Sequence, residues 1–335
     1  MSSEKPILEI DNLVVDYETE DGVVHAVTGM NLSLGKKKTL GLVGETGAGK
    51  TTTALAILRL IPDPPGVIKN GSIKLNGVNT LDLSIGEMRK LRGNFVSMIF
   101  QDPMTSLNPA LTVGDQIAEV IETHQNVSKG EALKQSRKML ETVGISSDRI
   151  FDYPHQFSGG MRQRVVIAMA LACRPKLMIA DEPTTALDVT IQAQILGVMK
   201  ELKQKYDMSM IMITHDLGIV AEICDEVSVI YAGKVVEYGT LDDVFNNTKH
   251  PYTEGLFNSL PNINRRGEML KPIQGLMPDS TDDIVGCAFA SRCVYASERC
   301  FVLPPTRHTF AETHYILCSA YDEPDFKIKR ELCND

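Results

Sequence analysis

Apolar and polar positions along the chain fall into two kinds of pattern. In the first, a short apolar run without alternation stops abruptly at polar residues. Thr39-Leu-Gly-Leu-Val43 runs into Gly44-Glu-Thr-Gly-Ala-Gly-Lys-Thr51, Leu177-Met-Ile-Ala180 into Asp181-Glu182, and Met210-Ile-Met-Ile213 into Thr214-His215-Asp216. Such runs suit strands of a parallel sheet covered on both faces. Each is followed by a helical period, over Thr51 to Leu60, Val189 to Lys205 and Leu217 to Ile223. Strand, loop and helix in repetition predict an α/β fold with ligands at the carboxyl ends of the strands. The second pattern alternates, over Ile7 to Tyr17, Val23 to Leu34 and Ser72 to Leu75, and predicts antiparallel strands flanking the parallel core.

Between Pro109 and Val143 the period turns helical. Val113, Ile117, Val120 and Ile121 form one stripe, and Leu133, Met139, Leu140 and Val143 another. A helical subdomain is therefore expected over about 106–157. A further helix near Leu241 to Asn246 leads to His250-Pro-Tyr-Thr253, and beyond Pro261 the chain is rich in Pro, Cys and Asp without regular periodicity. The expected organisation is one unit over 1–248 and a small irregular one over 249–335.

Composition narrows the setting. The chain has 335 residues, 43% of them hydrophobic, and a net charge of −9. That is globular, and it argues against a nucleic-acid partner held by phosphate contacts. The longest wholly apolar run, Val165 to Cys173, ends at Arg174-Pro175-Lys176, well short of the roughly 20 residues that span a bilayer. The start, MSSEKPILEIDN, lacks a basic segment followed by an apolar one, so a cytoplasmic location is expected.

Gly44 to Thr51 matches G-x-x-x-x-G-K-[ST] between an apolar strand and a helix. Glycines let such a loop wrap closely, so that backbone N–H groups and the helix N-terminus point at phosphate oxygens. The expected nucleotide contacts are Gly44, Glu45, Thr46, Gly47, Ala48, Gly49, Lys50, Thr51 and Thr52. Lys50 would bridge the β and γ phosphates, and Thr51 would offer its hydroxyl to Mg²⁺. Asp181, at the end of a neighbouring strand, can hold Mg²⁺ beside the phosphates. Glu182, one residue further out, can polarise the attacking water.

Phe157-Ser-Gly-Gly-Met-Arg-Gln-Arg164 is close to the signature LSGGQ, and on it the chain resembles the ATP-binding subunits of ABC transporters. Phe157 stands where Leu is more common, and Met161 precedes the Gln. Read alone, Ser158, Gly159 and Gly160 make an N-capped helix start that allows close backbone approach, a second phosphate-binding end. The resemblance implies a P-loop NTPase core over about residues 7–248, and a head-to-tail dimer in which each ATP sits between one subunit's phosphate loop and the other's signature. It implies that Tyr17 stacks on adenine, although a Tyr on an edge strand is an equal reading of the local sequence. It implies that Gln101 senses Mg²⁺ and the attacking water, that Asp188 in Ala186-Leu187-Asp188 lies in a loop crossing the dimer interface, with Thr185 where Ser is usual, and that His215 contacts the γ-phosphate.

The tail motifs His250-Pro-Tyr-Thr253, Gly286-Cys-Ala-Phe289 and Arg292-Cys293 resemble the C-terminal extension of the dipeptide, oligopeptide and nickel importers. The implied partners are permease subunits in the membrane, a second ATPase subunit and, indirectly, an extracytoplasmic peptide-binding protein, with the chain on the cytoplasmic face. The alternatives are a soluble ABC ATPase acting on DNA or the ribosome, or an importer of nickel or another small solute. Cys287, Cys293, Cys300 and Cys318 follow C-x5-C-x6-C-x17-C. Four thiolates can hold an iron–sulfur cluster or zinc, though the C-x2-C pairs of zinc ribbons are missing. The resemblance points to [4Fe–4S]; unligated small hydrophobes are the remaining reading.

Overall fold

The computed structural model describes residues 5–185, 187–260 and 272–328, with 103 and 104 by backbone alone. Ala186, Pro261 and Cys333 thus lie outside the described residues.

The N-terminal strands β1 (Leu8–Thr19) and β2 (Gly22–Leu34) form an antiparallel pair. The strand β3 (Thr39–Val43) then enters the centre of the molecule and gives way to α1 (Lys50–Ile57). β4 (Gly66–Leu75) and β5 (Val78–Asn79) return to the first pair and complete a four-stranded sheet of order β2-β1-β4-β5. β4 begins earlier than the alternation of Ser72 to Leu75 indicates. Its register against β1 shifts near Val14, where Gly71 has φ 103 and a Cβ would lie 2.6 Å from the Cα of Leu13. A shift of that kind breaks the period of two that sequence reading relies on.

The helix α2 (Ile85–Leu91) precedes β6 (Val96–Ile99), and α3 (Pro103–Ser106) leads to the helical segment. There α4 (Val113–His124) and α5 (Lys129–Thr142) lie on α6 (Gly159–Leu171). Thr112 and Ser128 start α4 and α5 by accepting the amides of Asp115 and Glu131 on their hydroxyls, as N-cap residues do. Val113, Ile117, Ile121, Leu140 and Val143, all from the two predicted stripes, are buried together.

The centre is a sheet of order β11-β12-β10-β9-β3-β8-β7-β6. Its parallel part consists of β6, β7 (Leu177–Asp181), β8 (Ser209–Ile213), β3 and β9 (Glu226–Tyr231). The helices α7 (Val189–Lys205) and α8 (Leu217–Ile223) supply its crossovers. Both faces are covered. Met178, Ala180, Met210 and Met212 join the apolar cluster with α6 and α7, whereas Leu177, Ile179, Ile211 and Ile213 join the one with α1 and the antiparallel sheet. Alternate side chains thus enter different cores, which is why these strands read as unbroken apolar runs.

After β10 (Lys234–Thr240) come α9 (Leu241–Asn246), α10 (Pro251–Asn258), α11 (Glu298–Val302) and the hairpin β11 (Arg307–Thr309) and β12 (Tyr315–Leu317). The tail is less irregular than its sequence indicates: β12 pairs antiparallel with β10 and extends the central sheet. Glu237 of β10 is fully buried and accepts hydrogen bonds from the amides of Lys249 and His250, and its Oε1 lies 2.9 Å from His314 Nε2. Strands of three residues are too short for a period of two to show.

Candidate functional site

The phosphate loop leaves β3 at the carboxyl edge of the parallel sheet and is held by backbone on several sides. At Gly44 a Cβ would lie 2.2 Å from the carbonyl oxygen of Ile230, and at Gly49, where φ is 94, 2.4 Å from that of Ala26. Only glycine fits such approaches. The amide of Gly233 donates to the carbonyl of Ala48, and the amide of Glu45 to the hydroxyl of Tyr252. The loop opens into α1 and borders a cleft of about 660 Å³. The cleft is lined by Tyr17, Glu45, Thr46, Gly47, Gly49, Lys50, Thr51, Thr52, Gln101, Glu182 and His215 from the predicted set, and also by Val24, Ala26 and Ser280.

Lys50 is buried, and its ammonium donates to the carbonyls of Gly44 and Glu45 at 2.8 and 2.9 Å. Burial lowers its pKa, and the carboxylates of Glu182, Asp181 and Glu45 oppose that shift. The loop's own carbonyls therefore hold the cation where phosphate oxygens would compete for it. Asp181 lies behind, almost wholly buried. Burial raises its pKa, partly offset by a hydrogen bond with Thr51, while the neighbouring charge of Glu182 raises it further. A buried carboxylate bonded to a hydroxyl, with a second carboxylate beside it, gains from a cation. Thr51 and Asp181 fit Mg²⁺ on this ground.

Glu182, the next residue, has φ 47, a left-handed conformation that costs a non-glycine residue energy. Its carboxylate has partners on both oxygens. Oε1 lies 3.1 Å from His215 Nδ1, and Oε2 accepts from Gln101 Nε2 at 3.1 Å and from the Thr185 hydroxyl at 2.9 Å. Burial would raise its pKa, but the bonds from His215 and Thr185 and the charges of His215 and Lys50 outweigh it and leave the carboxyl below its ordinary value. It is an ionised base held in place by donors. Gln101 points at this carboxylate, and His215 is largely exposed at the mouth of the cleft.

Tyr17 lies on β1, an inner strand of its sheet rather than an edge, and its hydroxyl is 3.5 Å from that of Thr52. Ser158, Gly159, Gly160 and Asp188 do not line the cleft. Ser158 occupies the N-cap of α6 but makes no capping bond with its side chain. A Cβ on Gly160 would lie 2.4 Å from the side chain of Ile191 on α7. Asp188 caps α7 by accepting the amide of Ile191. Gln163 of α6, fully buried, donates to the carbonyl of Pro183 at 2.6 Å, tying the helix behind the signature to the segment after Glu182.

Two known families match this chain: ABC transporter over residues 27–185, and oligopeptide/dipeptide transporter, C-terminal region, over residues 236–300. It is 51% identical over 313 residues to the oligopeptide transport ATP-binding protein OppD of Bacillus subtilis, covering 92% of this chain and 87% of that one. The chain belongs to the ABC transporter ATP-binding proteins. Against the dipeptide transport ATP-binding protein DppD of the same organism it is 48% identical over 319 residues, 95% of each chain. Among solved structures, a dimeric ATP-binding cassette in a post-hydrolysis state bound to ADP and Pi superposes with a TM-score of 0.63, at 26% identity, over 70% of this chain and 98% of that one. CbiO1 from Clostridium perfringens, part of an ABC transporter complex, gives 0.63 at 29% identity, over 72% and 92%.

As an ABC ATPase this chain binds and hydrolyses ATP. The cysteines of its extension are a different matter. Cys287, Cys293, Cys300 and Cys318 are free thiols, and the charges of the other three act on Cys318. Yet among the described residues no group of three or more His, Cys, Asp or Glu side chains is arranged to hold a metal ion. Burial raises the thiol of Cys287, pushes that of Cys293 up to about 11 and that of Cys318 up to about 12. Ligation would have to displace those protons. The expected iron–sulfur cluster is not supported, because no metal-holding group is seen among the described residues.

Sequence reading left several residues of the ABC site without a role. In the sequence Thr185 stands out only as a departure from Ser. Tyr252 and Arg292 belong to tail motifs whose contacts with Glu45 span 207 and 247 residues of sequence. Spacing carries no signal over such a distance.

Proposed function

We propose that this chain is the energy-coupling subunit of a peptide importer, bound at the cytoplasmic face of the membrane to permease subunits that receive peptides from an extracytoplasmic binding protein. The supporting observation is the convergence of Lys50, Thr51 and Glu182 with Gln101 and His215 at one cleft, with Asp181 buried behind it, on a chain similar over nearly its whole length to peptide transport ATP-binding proteins. Among the described residues no helix is long and apolar enough to cross a membrane, so a permease must supply the path.

Phosphate oxygens take Lys50 from the loop carbonyls and receive the backbone amides of the loop. Thr51, Asp181 and Gln101 would hold Mg²⁺, which supplies charge neutralisation at the phosphates. The Glu182 carboxylate, held by His215 and Thr185 and facing Gln101, can orient a water and accept its proton. The signature residues Ser158, Gly159 and Gly160 lie outside their own chain's cleft, which favours completion by a second, identical or related, subunit packed head to tail. Tyr17 stacks on the base, and Asp188 faces the dimer seam. Binding closes the pair and drives the permease outward; hydrolysis resets it.

Reconstitution with the permease and binding protein in vesicles tests the reading: MgATP inside should drive peptide uptake. Glu182→Gln should keep ATP binding while lowering hydrolysis and uptake together by about 10²- to 10⁴-fold. Uptake of nickel but not peptide would overturn the cargo. The [4Fe–4S] reading of Cys287, Cys293, Cys300 and Cys318 rests on the resemblance and on the mutual charge effects of the thiols, and no step above runs through it. Anaerobically purified protein should contain about four irons and matching acid-labile sulfide per chain; neither being present would end that reading.

A further inference from the structure

The phosphate loop carries an anion of its own at Glu45, in a site that must receive a polyphosphate of high negative charge. An unpaired carboxylate there would oppose the ligand. Its counter-charge comes from the far end of the chain. Arg292 Nη1 lies 3.0 Å from Glu45 Oε2 and donates to the hydroxyl of Tyr231 at 3.2 Å, while its Nε donates to the carbonyl of Gln274 at 3.1 Å. The guanidinium is 5% exposed, with its carbon 5.8 Å from the centre of the Tyr231 ring. The Glu45 side chain is 31% exposed, so the pair is partly buried, with the arginine held by three partners rather than free as in a surface pair.

The same loop residue is held at its backbone, where the fully buried Tyr252 accepts the amide of Glu45 at 3.0 Å. Two further contacts come from the extension. A Cβ on Gly47 would lie 3.6 Å from the methyl of Met277, and Ser280 lines the nucleotide cleft while accepting the amide of His25 on its carbonyl. The Glu45 charge also reaches Lys50. Whatever neutralises Glu45 therefore acts on the cation that meets the phosphates.

We propose that Arg292 is a positioning residue for ATP: from the C-terminal extension it neutralises and orients Glu45, so that the extension sets the affinity of the phosphate loop. The inference rests on the nucleotide reading of this loop. It assigns the extension a role in cis at the ATP site, apart from any part it has toward the permease or a metal. Loss of the guanidinium leaves a carboxylate facing the incoming phosphates, whereas loss of both charges removes the repulsion. The two changes are therefore coupled rather than additive.

The test is equilibrium binding of MgATP to the full-length chain, with Arg292→Met, Arg292→Lys and the double variant Arg292→Met with Glu45→Gln, each also checked for its unfolding midpoint. Arg292→Met should weaken MgATP by about tenfold and flatten the fall of affinity with salt. Arg292→Lys should recover most of that loss, and so should the double variant. Wild-type affinity in Arg292→Met overturns the proposal. So does a double variant no tighter than Arg292→Met, which would reduce Arg292 to a structural contact. If Arg292→Met does not fold, Arg292→Gln is measured in its place, alone and with Glu45→Gln, and the same comparison decides. An unmodified chain that fails to bind MgATP would instead overturn the nucleotide reading itself.

Discussion

The carboxylate proposed as the base of this ATPase is shaped by its neighbours as much as by its place after Asp181. Glu182 holds a left-handed backbone and receives donors from three segments, Gln101, Thr185 and His215. Of these, Thr185 has no competing task at the metal or the γ-phosphate, so its contribution can be isolated. Thr185→Val keeps shape and removes the hydroxyl, and turnover should fall about tenfold with MgATP affinity unchanged. Wild-type turnover in that variant would remove Thr185 from this role. Residues whose chemistry is contiguous were legible in the sequence: Lys50 and Thr51 in one loop, Asp181 and Glu182 at one strand end. Arg292 was not, because its partner Glu45 is reached only through the folded sheet.

At the scale of the element, α10 shows how the tail supports the loop. His250 is its N-cap, with Nδ1 accepting the amide of Tyr252 at 3.1 Å, while the ring also bonds the carbonyl of Leu317. A ring with one nitrogen accepting and the other donating must be neutral. Burial pushes its pKa down to about 4, against the opposing charge of Glu237 and the bond to Leu317. The folded value lies below the ordinary 6.5, so the unfolded chain binds the extra proton between them. The contribution to stability is full above pH 6.5 and is lost as pH falls toward 4. In urea titrations at pH 7.5 and pH 5, wild type should lose on the order of 2 kcal/mol through this group. His250→Asn, which keeps a capping acceptor that does not titrate, should lose correspondingly less. Equal losses in both proteins would exclude His250 as the acid-sensitive group. Helices of this kind were readable from their periods: α7, α8 and α9 fall where the sequence put them. α10 was visible only as a motif, since its first turn is fixed by a buried ring and not by an apolar stripe.

For the molecule as a whole, the parallel core was legible because three of its five strands, β3, β7 and β8, are buried on both faces and leave continuous apolar runs that end at the site. What was not legible is that the tail belongs to the same sheet. β12 bonds to β10 through two residues on each strand, and the stacked rings of Tyr238 and Tyr315, 5.4 Å apart, continue that seam. This pairing decides where the sheet ends. Without β12 the outer row of β10, seven residues long, would present open amides and carbonyls above a buried carboxylate, a template for pairing with another chain. With it, the sheet ends on one side at β11, only three residues long and carrying Arg307 and His308, and on the other at the four-residue β6. The extension that reaches into the ATP site thereby also keeps neighbouring copies from joining edge to edge, a protection against aggregation in a chain that must pack closely beside other subunits.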